Sequence, residues 1–211
     1  MNQKEYWDNS TCKTFTAMLH LDQLSQYINK NDRILDVGCG YGRTLYELYN
    51  NNYKNLKGVD FSSKMIEKGK QLYPFLDLDV KKDKHLEFDN CSFDVIILSA
   101  VLTCIVDDNE QKYLIDEIFR VLKPSGILYV TDFLINYDER NLTRYELYKS
   151  KYNKYGVFET SDGAVLRHHN LSWIKELLNP FKILTFEEVT YDTMNGHTSN
   201  AFYCISKKPC F

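Results

Sequence analysis

The residues of this chain best able to do chemistry gather around a glycine-rich turn. Gly38, Gly40 and Gly42 stand at alternate positions after the apolar stretch Ile34-Leu35-Asp36-Val37, with the acid Asp36 two residues before the first glycine. A turn without Cβ atoms at the carboxyl end of a strand lets a ligand approach the backbone closely, and in open α/β sheets ligands sit at that edge. A second acid, Asp60, ends the next apolar run twenty residues after Gly40, where a carboxylate can accept hydrogen bonds from ribose hydroxyls. The GxGxG spacing differs from the GxGxxG of dinucleotide-binding turns. His168, His169 and His197 are the candidate bases, since imidazole takes a proton near neutral pH; each is equally readable as a hydrogen-bonded structural residue. Cys12, Cys39, Cys91, Cys104, Cys204 and Cys210 form no CxxC pair, so no metal site is expected and the thiols read as reduced.

These groups need elements to hold them. Phe15, Met18, Leu21, Leu24 and Ile28, at steps of three and four, predict a helix over residues 11–28. A strand then runs into the glycine turn, and Leu45, Leu48 and Tyr49 resume a helical period. Residues 56–60 read as a strand, Ser62 as the N-cap of a helix bearing Met65, Ile66 and Leu72, and residues 75–80 as a further strand. The run 93–99 is apolar on both faces, as a central parallel strand must be. Asp107 and Glu110 resemble a capping box; Pro124-Ser125-Gly126 should stop the helix that follows, ahead of a strand over 126–133. Strands over 181–191 and 199–206 flank Asn195-Gly196, a hairpin signal. The alternation predicts an α/β, Rossmann-like, doubly wound and mostly parallel seven-stranded sheet with an antiparallel final hairpin. Residues 136–170 form a lid-like insertion after the fifth strand. The expected organisation is one domain over 1–211: a ligand-binding core over 11–135, the insertion, and a helix with the closing hairpin over 171–211.

Four blocks carry a resemblance: Ile34-Leu35-Asp36-Val37-Gly38-Cys39-Gly40-Tyr41-Gly42, Gly58-Val59-Asp60-Phe61-Ser62, Phe93-Asp94-Val95-Ile96-Ile97-Leu98 and Val121-Leu122-Lys123-Pro124-Ser125-Gly126. In this order and spacing, over roughly residues 30–133, the chain resembles the class I S-adenosylmethionine-dependent methyltransferases. The resemblance implies S-adenosylmethionine as cofactor and S-adenosylhomocysteine as product. It implies that Asp36, Gly38, Cys39 and Gly40 hold the methionine part and that Asp60 holds the ribose, with Phe61, Ser62 and Met65 beside the adenosyl group. It also implies an acid at the adenine amino group, Asp79 followed by Val80 or alternatively Asp83, and a cofactor wall of Ser99, Ala100 and Val101. Leu98-Ser99-Ala100-Val101-Leu102 lacks the Asn/Asp-Pro-Pro-aromatic signature of enzymes that methylate exocyclic amino groups of bases, which disfavours that chemistry.

The acceptor side is read from the remaining residues. Tyr145, Tyr148, Tyr152 and Tyr155, with Arg140, Arg144, Lys149, Lys151 and Lys154 around them, make a lid over a small acceptor, a stacking surface for nucleic acid or plain packing against the core. Asp132 ends the fifth strand, and Met194, Asn195 and His197 lie in the last hairpin turn. His168 and His197 are therefore expected to converge as bases, with Arg144, Tyr145 and Asp132 meeting the acceptor. The 211 residues carry 26 Lys+Arg against 29 Asp+Glu, a net charge of −3, which argues against a general polyanion binder. With no signal-peptide pattern and no long apolar run, the expectation is a soluble, cytoplasmic protein without a membrane partner. The function expected is methyl transfer to a small molecule. The alternatives are an RNA or protein methyltransferase, or a non-catalytic S-adenosylmethionine-binding module.

Overall fold

The computed structural model describes residues 3–194 and 196–210. In chain order the elements are α1 (Gln3–Asp8), α2 (Leu21–Leu24), β1 (Ile34–Val37), α3 (Arg43–Asn50), β2 (Leu56–Asp60), α4 (Ser63–Leu72), β3 (Asp77–Val80) and β4 (Phe93–Ser99). After a 3-10 turn at Leu102–Cys104 come α5 (Asp108–Val121), β5 (Leu122–Phe133), α6 (Glu139–Tyr152), β6 (Val157–Glu159), β7 (Val165–Arg167), α7 (Leu171–Leu177), β8 (Lys182–Asp192) and β9 (Thr198–Lys207).

Seven strands form one sheet in the order β3-β2-β1-β4-β5-β9-β8. The first five are parallel, and β9 pairs antiparallel with both β5 and β8. The winding reverses between β1 and β4, so the glycine turn after β1 and the loop after β4 open a crevice at the carboxyl edge. Side-chain alternation divides the core. Leu35, Ile96, Leu98, Leu128 and Val130 meet Ile115, Ile118 and Ile174 on one face, while Ile34, Val95, Ile97 and Tyr129 meet Leu24, Leu45 and Ile66 on the other. With apolar layers on both sides, β1 and β4 carry apolar residues on both faces, Ile34 and Leu35 in one and Val95 to Leu98 in the other.

Ser62 caps α4 by accepting the Met65 N–H (3.2 Å), and Asp107 caps α5 by accepting that of Glu110 (3.0 Å). Three expectations are corrected. Residues 11–28 hold one helical turn, α2, because Phe15 leaves the apolar stripe to stack on Tyr41 (5.1 Å) and Met18 is exposed. The third strand starts at Asp77, Phe75 being drawn instead onto the Tyr49 ring (4.3 Å). Pro124-Ser125-Gly126 does not separate helix from strand. It forms an irregularity inside β5, where Leu122 pairs with Phe93 and Ile127 with Val95, and Ser125 takes φ +62°. Asn195 of the expected hairpin turn lies outside the described residues.

The insertion builds its own small scaffold. Asp138 caps α6 through the Asn141 N–H (3.2 Å), Asn153 ends it at φ +47°, and β6 pairs antiparallel with β7. Its two ends are neighbours: Leu134 bridges to His169, and the Ile135 N–H donates to the His169 carbonyl (2.9 Å). Among the described residues no helix is long and apolar enough to cross a membrane.

Candidate cofactor and acceptor site

A cavity of about 480 Å³ opens at the carboxyl edge of β1, β2 and β4. The Asp60 carboxylate organises its floor. Oδ2 accepts the Gly40 N–H (2.9 Å) and Oδ1 the Ser62 N–H (2.8 Å), tying the glycine turn to the end of β2. Each oxygen keeps a lone pair, and Asp60 lines the cavity. Gly38 (φ +77°) and Gly40 (φ +55°) sit where side chains are strained, and a Cβ would come within 2.5 Å of Val101 or 2.4 Å of the Phe15 ring.

Two buried groups at this end lack partners: Asp36 Oδ1 and Arg43 Nε. Burial pushes the Asp36 carboxyl up to about 7, with the Arg43 guanidinium pulling the other way. Unsatisfied buried polar atoms call for an explanation. An acid and a guanidinium on one cavity wall match the ammonium and carboxylate of a zwitterion, and the paired acceptor lone pairs of Asp60 match a vicinal diol.

The expected residues divide. Gly38, Cys39, Gly40, Phe61, Met65, Ser99, Ala100 and Val101 line the cavity with Asp36 and Asp60; His168, His197 and Arg144 line its other end. Ser62 does not, being buried as a cap whose Oγ donates to Asp8 (2.7 Å). Asp79 and Val80 are also off the cavity. Asp79 is held by Lys57 (2.5 Å) and Lys70 (3.8 Å), and hydrogen bonding to Lys57 keeps its pKa below the usual carboxylate range. Asp83, the alternative to Asp79, does line the cavity. Asp132 is turned inward, accepting the Thr103 (3.1 Å) and Phe133 (2.8 Å) N–H groups, and burial pushes it up to about 7. Tyr145 is fully buried beneath the lining.

His168, an expected base, lines the cavity but is buried within the insertion. Its Nδ1 lies 2.6 Å from the Tyr145 hydroxyl and 3.1 Å from Asn136 Nδ2. The Tyr145 oxygen accepts the Asn136 backbone N–H (3.2 Å), and its hydrogen has both His168 Nδ1 and Asn141 Oδ1 (3.4 Å) within reach, while Asn136 Nδ2 donates to the Leu134 carbonyl and Ser199 Oγ (both 2.9 Å). Nδ1 is engaged by the insertion's own network, so Nε2 is the ring nitrogen left to the cavity. Burial, reinforced by Arg144, holds its pKa well below the ordinary value, so it resists a second proton. His169 bonds Gln111 (2.9 Å) and the Phe133 carbonyl (3.2 Å), with burial lowering it to about 3.

Sequence reasoning missed Arg43 and placed Phe15 on the wrong element. Arg43 had a signal: a cation in the first helical turn opposes the helix dipole unless something else uses it.

The cavity is roofed from two directions. Asp8 ties α1 to the start of α4. Lys13 and Tyr6 bond Asp162 in the β6–β7 turn, and the Gln3 side chain bonds the Val165 carbonyl. Asp162→Ala is expected to speed amide hydrogen exchange over residues 3–13 several-fold. Because the Lys13–Asp162 pair is partly exposed, the melting temperature should hardly move, and unchanged exchange would show the roof is held otherwise.

Fold and site together define an open α/β sheet protein whose crevice fits a nucleoside with a zwitterionic tail. Residues 34–126 match the family described as a methyltransferase domain. A solved S-adenosylmethionine-dependent methyltransferase of Methanosarcina mazei is 25% identical, with a TM-score of 0.86 over 92% of this chain and 100% of that one. A tRNA N(3)-cytidine methyltransferase of Mus musculus is 38% identical over 112 residues, 48% of this chain and 28% of the relative. A ubiquinone/menaquinone biosynthesis C-methyltransferase of Campylobacter jejuni is 29% identical over 117 residues, 52% and 48% of the two chains. The matches span less than half the length of these two curated relatives. Residues 34–126 thus carry a methyltransferase domain, and over 92% of its length the chain has the fold of an S-adenosylmethionine-dependent methyltransferase.

Proposed function

We propose that the protein methylates a small-molecule acceptor with S-adenosylmethionine. The carrying observation is the roof that α1 and the β6–β7 turn, joined through Asp162 and Val165, place over the cavity of about 480 Å³ that must hold cofactor and acceptor together, which suits a small acceptor. The bound cofactor supplies an electrophilic methyl group on a sulfonium. The chain's own residues orient the two substrates and exclude water. Asp36, Arg43, the Gly38–Gly40 backbone and Asp60 hold the cofactor, with Phe61, Met65 and Asp83 toward the base and Ser99, Ala100 and Val101 along the wall. Residues 1–211 work as one unit in this reading.

A nucleic-acid acceptor has less support. Lys149, Lys151 and Lys154 on the insertion are paired with Glu146, Glu159 and Asp108, and the tyrosine face does not continue past Asn153, so no free basic, aromatic stripe faces outward.

His197, in the turn before β9, lines the cavity and is exposed. It is the residue proposed to accept the acceptor's proton. His197→Ala should lower kcat at least tenfold with cofactor affinity unchanged; an undiminished rate would remove the base. The function itself is tested by incubating protein and cofactor with a metabolite extract and, separately, with tRNA, and following methylated products by mass spectrometry. Methylated tRNA and no methylated metabolite would overturn the small-molecule reading.

A further inference from the structure

Arg144 is a cation with no carboxylate in ion-pair contact, although Tyr145 and Asp138 both act on it. Its Nε is sealed without a hydrogen-bond partner, and its guanidinium carbon sits 3.4 Å from the Phe158 ring centroid. Arg140 has Asp138 at 3.8 Å and Arg167 has Asp108 at 2.6 Å, whereas no carboxylate of the described residues pairs with Arg144. A guanidinium does not shed its charge in a protein, and an aromatic face compensates only part of the hydration it has lost. Arg144 also lines the cavity. The insertion places Arg140, Arg144, Phe158, Thr160, Leu166 and His168 on that wall, two guanidinium groups with no carboxylate among them. His168 Nδ1 is engaged by Tyr145 and Asn136, so Nε2 is the atom it can present to the same wall.

We propose that the acceptor is a small anion, whose carboxylate or phosphate group docks on Arg144 with help from Arg140, and whose apolar body lies against Phe133, Phe158 and Leu166. This rests on the small-molecule reading of the cavity. The anionic group is an anchor; it fixes the rest of the molecule so that a different atom meets the methyl group. A planar guanidinium fork suits either oxyanion in two-point contact, and an aromatic ring beside it suits a flat or hydrophobic body.

The test uses the full chain loaded with S-adenosylhomocysteine and three probes at one ionic strength: phenylacetate, phenyl phosphate and the neutral phenylacetamide. By calorimetry at least one anion should bind tenfold or more tightly than the amide, and which anion is preferred identifies the oxyanion. Arg144→Met should abolish the preference while S-adenosylhomocysteine affinity stays within twofold. Arg144→Lys, which keeps the charge but not the fork, should retain part of it and serves if the methionine variant does not fold. Equal binding of all three probes, binding of none at millimolar concentration, or a preference that survives in a folded Arg144→Met protein would each overturn the proposal. Methylated RNA would instead overturn the small-molecule reading, so the two failures are distinguishable.

Discussion

Asp60→Ala should weaken S-adenosylmethionine binding roughly 10- to 150-fold, equivalent to about 1.5–3 kcal/mol, the usual loss for charge-assisted hydrogen bonds. Two losses combine. The carboxylate's free lone pairs would no longer meet a diol, and the Gly40 and Ser62 N–H groups it now holds would lose their acceptor, loosening the turn that shapes the floor. Asp60→Asn should fall between the two proteins, since the amide oxygen can still accept one N–H while the amide nitrogen cannot accept the other. Isothermal titration with S-adenosylhomocysteine measures both. Wild-type affinity in Asp60→Ala would remove this carboxylate from the site.

The second large effect is on pH. Asp36, up to about 7 in the protein without ligand, must be ionised to receive an ammonium group. Below pH 7 binding must first expel a proton, so the dissociation constant for S-adenosylhomocysteine should rise by up to tenfold for each unit from pH 7 to 5 and be level above about 7.5. Titrations in buffers of different ionisation enthalpy should show nearly one proton released per ligand at pH 6 and almost none at pH 8. Asp36→Asn should flatten the profile and bind weakly throughout; a pH-independent wild type would refute the assignment. Melting temperature is a poorer readout because opposite signs meet. Asp36 and Asp132 titrate near 4 when unfolded and about 7 when folded, so their contribution to stability declines as pH rises through that window. His168 and His169 are depressed from 6.5, so theirs grows as pH rises toward 6.5. The melting temperature should therefore vary little between pH 5 and 6.5.

The cofactor half was legible because its signals are local and mutually reinforcing. Residues 34–37, 56–60 and 93–99 must be strands when both sides are buried, and a GxGxG turn with an acid at the next strand's end fits few other purposes. What stayed hidden depended on partners distant in sequence. Asp79 could be excluded only by seeing that β2 and β3 align Lys57 with Asp77, so that Asp77 and Asp79 share the lysine's face. Phe15 satisfies a helical period yet does more by covering Gly40. Tyr145, Tyr148, Tyr152 and Tyr155 look like one face, but the left-handed Asn153 parts Tyr155 from it, and Tyr145 is consumed by His168. Which ring nitrogen His168 presents is set by that hydroxyl and by Asn136, information no spacing carries.

The bridge from Leu134 to His169 makes the insertion a loop closed at its neck. Both ends leave the sheet side by side, while Asn136 bonds Ser199 and Asn200 of β9 and Arg167 bonds Val106 and Asp108, so the neck also carries contacts to the core. The match to the methyltransferase family stops at residue 126, before that neck is reached. Selectivity can then be exchanged as a cassette only if Asn136 and Arg167 are kept: a graft between positions 137 and 166 leaves their bonds to β9 and Asp108 in place, and with them the adenosyl floor built from β1, β2 and β4.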